Sequence, residues 1–287
     1  MAIYSLRLTP IGKTTQKRPH TAAAHIRYIT RKSAVSHVMA ERMPASRVPA
    51  IRWLRAQESA DRANARVADK IVLALPLELT RQQQIELVQA FAEDLTQGRA
   101  SWFAAIHGRG KDRTNPHCHL LVRDRDVQTG KRVVMFSAGK KEIEQRAAKH
   151  QSRPTTLRMI RMLWERKANA ALEAAGRRER IDHRTLLEQG QLRLAQVHEG
   201  PNIRAMHARG FKPQSKERLV RNPALRRKDT PATRTVRYPD IDLGQTRVEY
   251  NAALKEAPDL SLTEVMRMQA RIPRTALSPV QDRGRGR

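Results

Sequence analysis

The sequence predicts an α+β fold, because strand and helix patterns alternate over the first 136 residues and helical patterns dominate afterwards. Two of the strand segments, 101–107 and 117–123, are short and largely apolar, and a loop rich in turn formers joins them. At 287 residues the chain has room for one large domain, or for one domain with an appendage.

The remaining elements follow from the spacing of apolar residues and from capping and turn residues. Residues 34–52 have no clear period and contain two prolines, which predicts a loop. Strands are predicted over residues 2–9, 67–76, 101–107 and 117–123, with a hairpin over 124–136. Helices are predicted over residues 21–33, 53–66, 81–97 and 155–175, with shorter ones near 183–190 and 201–209.

A change of composition after Gly210 predicts two parts of the chain. Residues 1–210 are expected to form the domain, which is helical from about residue 139. Residues 211–287 hold 7 of the 15 prolines and are expected to form a basic, mostly disordered tail. Short helices near 244–257 and 261–271 are the exceptions expected in that tail.

The charge of the chain indicates a polyanionic partner. Lysine and arginine number 56 against 28 acidic residues, a formal net charge of +28, which repels itself in a compact state. Nucleic acid is the natural partner, although charge alone does not separate an enzyme from a ribosomal-type or merely soluble basic protein. The single cysteine excludes an internal disulfide framework, and the N-terminus lacks the apolar core of a signal peptide. We therefore expect a cytoplasmic protein without membrane insertion.

Three histidines form a candidate metal site. Residues i and i+2 of a strand project from the same face, so His117 and His119 can point at one ion. If strands 101–107 and 117–123 pair antiparallel, His107 lies opposite the start of the second strand. Three neutral imidazoles on a rigid hairpin would bind a divalent metal and leave coordination positions open for substrate oxygens.

The motif alone is weak, and surface histidines are the alternative interpretation. With ten histidines in the chain, an H-x-H arises by chance in roughly one such sequence in three. Cys118 would point to the opposite face of the strand, where a small core residue is expected rather than a ligand.

Tyr28 is a candidate nucleophile. On the predicted helix 21–33, His25, Arg31 and Lys32 lie three or four residues away and surround it on the polar face. A tyrosine that attacks a phosphodiester forms a phosphotyrosyl intermediate and conserves the bond energy for rejoining. The alternative is an ordinary helix tyrosine half-buried against the core.

The other three tyrosines are less suited to attack a phosphate. Tyr4 lies on the apolar face of a predicted strand, and Tyr238 and Tyr250 lie in the proline-rich tail.

The strand-borne NPHCHLLV, the upstream His107 and the N-terminal AAAHIRYITR together resemble the HUH endonucleases, and most closely the plasmid mobilisation relaxases of the MobA/MobL type. The similarity extends to WLRAQESADRANARVADKIVLALPLELT, which resembles the family's segment ending in "ALP-E-L". It also includes IDHRTLLEQG and HEGPNIRAMHARG. The resemblance covers roughly residues 1–210, in order, and is far more specific than the H-x-H.

This resemblance implies a central antiparallel sheet flanked by helices, and it assigns roles to four residues. His107, His117 and His119 would be the metal ligands, with Mg²⁺ or Mn²⁺ as the usual ion, and Tyr28 would be the nicking tyrosine. Such relaxases cut one strand at a plasmid transfer origin (oriT), remain linked to its 5′ phosphate, travel with it into a recipient cell and reverse the reaction. The resemblance also implies accessory relaxosome proteins and a secretion coupling protein as partners.

Two departures from the family pattern stand out. Many relatives place a glutamate shortly before "ALP", where this chain has Val72 and Leu73. Asp69 or Glu58 could replace that acid, with a structural surface carboxylate as the alternative for each. No phosphate-binding G-x-x-x-x-G-K-[ST] occurs, so unwinding of DNA is expected to fall to other proteins.

Five basic residues are candidate contacts to the DNA backbone. Arg109, Lys111 and Arg113 lie in the loop between the histidine strands, and Arg31 and Lys32 follow the tyrosine. A solvated charged loop is the alternative for the first three.

Two other functions stay open at the level of sequence. A rolling-circle replication initiator would use the same chemistry as a relaxase. A non-catalytic basic DNA-binding protein with a decayed metal site would explain the missing acid.

Overall fold

The computed structural model describes residues 4–14, 16, 18–108, 114–134, 136, 156–191, 195–196, 199–211, 218–221, 233–236 and 247–256. The chain divides into two compact units, Met1–His183 and Arg184–Arg287. Each unit is described by itself.

A five-stranded antiparallel sheet forms the centre of the first unit. Its strands are β1 (Leu6–Gly12), β2 (Val35–Glu41), β3 (Arg66–Ala74), β4 (Ala100–His107) and β5 (His117–Asp126). They lie side by side in the order β1-β3-β5-β4-β2, and every neighbouring pair is antiparallel. Four helices accompany the sheet: α1 (Thr21–Ile29), α2 (Arg47–Ala60), α3 (Arg81–Thr96) and α4 (Thr156–Ala174). The predicted α+β fold, an antiparallel sheet flanked by helices, is confirmed.

The two faces of this sheet pack against different helices. The face that carries Leu73, Ile106 and Leu120, here called the α3/α4 face, forms a core with apolar residues of α3 and α4. The opposite face carries Ala105 and Leu121 and is called the α1/α2 face, because it packs against α1 and α2. Alternation along each strand assigns neighbouring residues to opposite faces, so each strand contributes to both layers.

The second unit contains short elements. Helix α5 (Gly200–Ala208) lies near the predicted 201–209, and α6 (Arg247–Glu256) lies near the predicted 244–257. Strands β6 (Arg218–Arg221) and β7 (Thr233–Val236) pair antiparallel. The helix predicted near 261–271 falls outside the described residues, as does much of the predicted disordered tail. Among the helices of the described residues, no apolar stretch is long enough to span a membrane.

The loop predicted over 34–52 is wrong, since the segment contains all of β2 and the start of α2. β2 is an edge strand whose residues are half-buried almost throughout, so its sequence shows no two-residue period. Pro49 is the third residue of α2, where a missing N–H costs no intrahelical hydrogen bond.

The predicted end of the first strand at residue 9 is also wrong. β1 continues through Pro10 to Gly12, because it is the other edge of the sheet. An edge strand tolerates proline, whose absent N–H can face outward instead of toward a partner strand.

No helix forms over the predicted 183–190, where the structure has turns at residues 186–190 and a left-handed Gly190. The segment before it is extended and tied to α4, because Asn169 and the backbone of Ile181 exchange two hydrogen bonds of 2.8 and 2.9 Å. Thr80 caps α3, as part of a reciprocal capping box with Gln83.

Candidate metal centre and nucleophile

Three histidines converge at the ends of two neighbouring strands. His107 pairs directly with His117 across β4 and β5, and Ala105 pairs with His119. One nitrogen from each imidazole lies within 4.8 Å of a nitrogen of the other two. The ring centroids are 4.5 Å apart for His107 and His119, and about 5 Å apart for the other two pairs. The antiparallel pairing expected from the sequence therefore produces the cluster.

Backbone carbonyls orient two of the rings. His107 Nε2 lies 2.7 Å from the Ile29 carbonyl oxygen, and His117 Nδ1 lies 2.9 Å from that of Asn115. A carbonyl oxygen only accepts, so each of these nitrogens carries the proton and the lone pair lies on the other nitrogen. Such outer hydrogen bonds fix the tautomer of metal-binding histidines.

The third ring, His119, is the one whose environment most strongly suggests a bound ion. Its Nδ1 is buried and has no hydrogen-bond partner among the described residues. Burial, followed by repulsion from the neighbouring histidines and Lys70, lowers the pKa of His119 to about 2, so the ring is neutral at ordinary pH. A neutral imidazole binds a metal without first losing a proton. Three such donors fit a divalent transition metal, manganese included, with open coordination positions.

Tyr28 stands beside this cluster on α1. Its side chain is 56% exposed, and its ring lies 6.4 Å from the His119 ring in an edge-on arrangement. The Arg31 guanidinium lies over the Tyr28 ring, 4.4 Å from the centroid. The structure thus brings together the predicted nucleophile and the predicted ligands, with the tyrosine exposed to solvent.

Two contacts hold α1 in this position. At its C-terminal end, the hydrogen bond from His107 reaches the carbonyl of Ile29, the residue after the tyrosine. At its start, the carboxylate of Glu58 on α2 accepts from the His20 backbone N–H at 2.9 Å and from the Gln16 side chain at 2.6 Å. Glu58 is only 3% exposed, so its carboxyl group is buried at the start of α1 and does not lie at the surface. Its observed role is to hold the tyrosine helix.

His25 lies between Tyr28 and the three histidines. Its ring is 6.0 Å from Tyr28 and 6.2 Å from His119, and its Nε2 is buried without a partner among the described residues. Burial, with the charge of Lys70 as a second cause, lowers the pKa of His25 to about 4. Sequence analysis named His25 only as a neighbour of Tyr28, because its contact with a β5 residue depends on how α1 packs.

The structure does not bring Asp69 to this site. Asp69 pairs with Val122 of β5, a residue of the α3/α4 face, and its carboxylate forms an ion pair with Arg66. Burial raises the pKa of Asp69 to about 6 against the opposing effect of Arg66. Its contacts are those of a structural carboxylate.

The predicted DNA contacts have different outcomes. Arg31 lies against the tyrosine, whereas Lys32 is exposed. Arg109, Lys111 and Arg113 fall outside the described residues. Cys118 is fully buried on the α3/α4 face, as expected for a core residue, and burial raises the pKa of its thiol.

A second group with metal-binding side chains lies away from the tyrosine. Glu165, Asp182 and His183 each offer one ligand atom, and these atoms lie within 4.8 Å of one another. The His183 ring is hydrogen-bonded through Nδ1 to the Glu165 carboxylate. This contact ties the extended 181–183 segment to α4.

Comparisons with known proteins agree on one family. Residues 18–209 match the MobA/MobL family. Mobilization protein A of Escherichia coli is 36% identical over 224 residues, which cover 74% of this chain and 31% of that protein. A probable mobilization protein MobA of Bifidobacterium longum is 26% identical over 279 residues, covering 79% of this chain and 48% of that protein. The chain thus spans between a third and a half of the length of these relatives.

Two solved structures are similar to part of this chain. One, described as the molecular basis of vancomycin resistance transfer in Staphylococcus aureus, is 21% identical with a TM-score of 0.47, and covers 64% of this chain and all of its own. The other is the MobM relaxase domain bound to plasmid oriT DNA in a manganese-bound crystal structure. It is 13% identical with a TM-score of 0.34, and covers 66% of this chain and 98% of its own.

Proposed function

The chain belongs to the MobA/MobL family, and we propose that it is a relaxase that nicks one DNA strand at a plasmid transfer origin and later rejoins it. One observation carries this proposal: an exposed tyrosine stands 6.4 Å, ring to ring, from a cluster of three histidines suited to a divalent metal. The net charge of +28 supports a polyanionic substrate.

The chemistry proposed is transfer of a phosphoryl group to Tyr28. The phenolic oxygen attacks the scissile phosphorus, the bond to the 3′ oxygen breaks, and the 5′ phosphate remains on the tyrosine. The phenolic proton leaves to solvent, to which the side chain is open, and the departing 3′ oxygen takes up a proton. Attack by that 3′ hydroxyl on the phosphotyrosine reverses every step and restores the strand.

The histidine cluster and Arg31 would stabilise the charge that develops during attack. His107, His117 and His119 would hold Mg²⁺ or Mn²⁺, which when bound polarises a phosphate oxygen. The Arg31 guanidinium lies against the ring of the attacking group, where its positive charge would stabilise the charge that develops on the phosphate. The hydrogen bond from His107 to the Ile29 carbonyl would hold the nucleophile in a fixed position relative to the ligands.

Further parts of the proposal concern DNA and partners. Arg31 and Lys32, with Arg109, Lys111 and Arg113, would contact the backbone of the cut strand. Accessory relaxosome proteins and a secretion coupling protein would assemble with the chain at the origin. We propose that it acts in the bacterial cytoplasm and is carried with the linked strand into a recipient cell.

Relaxation of a supercoiled plasmid tests this function. The plasmid carries the intergenic DNA next to the gene, and the reaction contains Mn²⁺, Mg²⁺ or EDTA. The proposal predicts metal-dependent relaxation and protein bound covalently to the 5′ end of the nick. A plasmid with unrelated DNA of the same length is the control.

Two outcomes would overturn the proposal. If the protein binds the cognate plasmid tightly and never nicks it, a non-catalytic DNA-binding role replaces the enzyme. If it nicks but supports plasmid replication and no transfer in a mating assay, it is a replication initiator.

A further inference from the structure

Lys70 has an unusual environment on the α1/α2 face of the sheet. It pairs with Leu121 of β5 on one side and with Thr9 of β1 on the other. Leu121 belongs to the apolar cluster of the α1/α2 face, so Lys70 lies on the same face of the sheet as the three histidines. The next residue of β3 on this face, Val72, pairs with His119.

A second cation lies one strand away from this position. Arg7 of β1 pairs with Val72, so Arg7, Val72 and His119 form one row across the sheet. Lys70 belongs to the adjacent row and is a diagonal neighbour of both Arg7 and His119, about 7–8 Å away between backbones. Lys70, Arg7 and the three histidines therefore surround one patch of the α1/α2 face.

The charge of Lys70 is not neutralised within the described part of the chain. No carboxylate there forms an ion pair with its ammonium group. Burial, with the nearby Arg7 as a second cause, lowers the pKa of Lys70, and its charge in turn lowers the pKa of both His25 and His119. A half-buried cation surrounded by cations and imidazoles is unfavourable unless an anion joins it.

We propose that Lys70 and Arg7 form a binding site for a backbone phosphate of the DNA strand, next to the phosphate held at the metal cluster. This inference rests on the proposed function, since it takes the cut strand as the ligand. Lys70 supplies a partly desolvated point charge, and Arg7, which is exposed, supplies a second donor at the rim. Each would position the strand without reading its bases.

Salt-dependent binding of single-stranded DNA tests the site without any need for nicking. The probe is a 20-nucleotide oligothymidylate, titrated in EDTA at several salt concentrations with the full chain and with Lys70→Met. A single lost phosphate contact on single-stranded DNA reduces the slope of log affinity against log salt by about 0.7. We expect that reduction, with binding about tenfold weaker at low salt and a smaller difference at high salt.

Three controls make the result specific. Lys131→Met removes an equally positive residue from the exposed turn beyond the far end of β5, and its salt slope should match the wild type. Lys70→Arg keeps the charge and should restore the slope. Thermal denaturation of Lys70→Met should show a melting temperature equal to or above that of the wild type, because an unpaired cation is removed.

Two results would overturn the inference. The first is a slope for Lys70→Met equal to that of the wild type. The second is a lower melting temperature with an unchanged slope, which would make Lys70 a structural residue. Neither result bears on whether the plasmid is nicked, and absence of nicking would leave the binding result standing.

Discussion

The two faces of the sheet are built from the same five strands but carry different kinds of side chain. The α3/α4 face is filled by large apolar residues, and the buried carboxylate of Asp69 on it is ion-paired with Arg66. The α1/α2 face is apolar over part of its surface, but it also carries the three histidines and Lys70, which has no ion-pair partner among the described residues. Consecutive residues such as Asp69 and Lys70 therefore lie on opposite faces of the sheet.

Within a single strand, therefore, residues that stabilise the fold alternate with residues of the candidate site. Cys118 is packed in the core, while His117 and His119 on either side of it belong to the metal cluster. Substitutions on the α3/α4 face should lower the free energy of unfolding and spare the site. Substitutions at the histidine end of the α1/α2 face should remove activity and spare the fold.

The largest expected effect on chemistry comes from Tyr28→Phe. The phenolic oxygen is the proposed nucleophile, so plasmid relaxation should fall by more than about 10³-fold. The side chain is more than half exposed, so the melting temperature should stay unchanged. A variant that still relaxes the plasmid at the wild-type rate would show that Tyr28 is not the nucleophile.

The largest expected effect on stability comes from Trp164→Ala in α4. Trp164 is fully buried and packs edge-on against Phe91 at 5.2 Å, so its loss should cost about 3–5 kcal/mol in chemical denaturation. Met159→Ala on the same helix is the control: that side chain is 58% exposed, and its change should cost under about 0.5 kcal/mol. Loss of Mn²⁺ affinity in folded Trp164→Ala would contradict the separation of the two faces.

Metal binding should distinguish two adjacent residues of β5. His119→Ala should weaken Mn²⁺ binding by at least about 100-fold in calorimetry, because one of three donors is lost. Cys118→Ala should leave Mn²⁺ affinity unchanged and lower stability by about 1 kcal/mol, because its side chain faces the core. Equal affinities of wild type and His119→Ala would exclude this cluster as the metal site.

A further expected effect is a pH dependence of the free energy of unfolding, which arises from Asp69. Its folded pKa of about 6 lies above the ordinary aspartate value of 3.8, so the folded state holds the proton to higher pH than the unfolded chain does. The resulting stabilisation is present below about pH 4 and is lost as pH rises through about 6, a change of about 3 kcal/mol. Asp69→Asn cannot titrate at this position. The free energy of unfolding of the wild type, measured relative to that of the variant, should therefore fall as pH rises from about 4 to about 6. A difference that is constant with pH would contradict the raised pKa.

Much of the site could be predicted from the sequence because its signals are local. The two-residue repeat of a strand aligned His117 with His119, and the three- and four-residue spacing of a helix placed Arg31 beside Tyr28. His107 required one further assumption, the antiparallel pairing of consecutive strands, which the structure confirms.

What the sequence could not predict depends on contacts between distant segments. Asp69 and Lys70 are consecutive in β3, so their side chains lie on opposite faces of the sheet. Only the register against β5 shows which of them is on the same face as the histidines. Glu58 was expected at the surface because nothing local indicates that it meets the start of α1. β2 was missed because an edge strand of half-buried residues shows no alternation.

The most direct test of the central claim is to locate the covalent link between protein and DNA. The full chain is incubated with Mn²⁺ and a supercoiled plasmid carrying its cognate intergenic DNA, then digested with nuclease and trypsin and analysed by mass spectrometry. The account predicts a nucleotide attached to the tryptic peptide that runs from Tyr28 to Arg31. A nucleotide attached to Tyr4, Tyr238 or Tyr250 instead, or nicking with no covalent adduct, would contradict it.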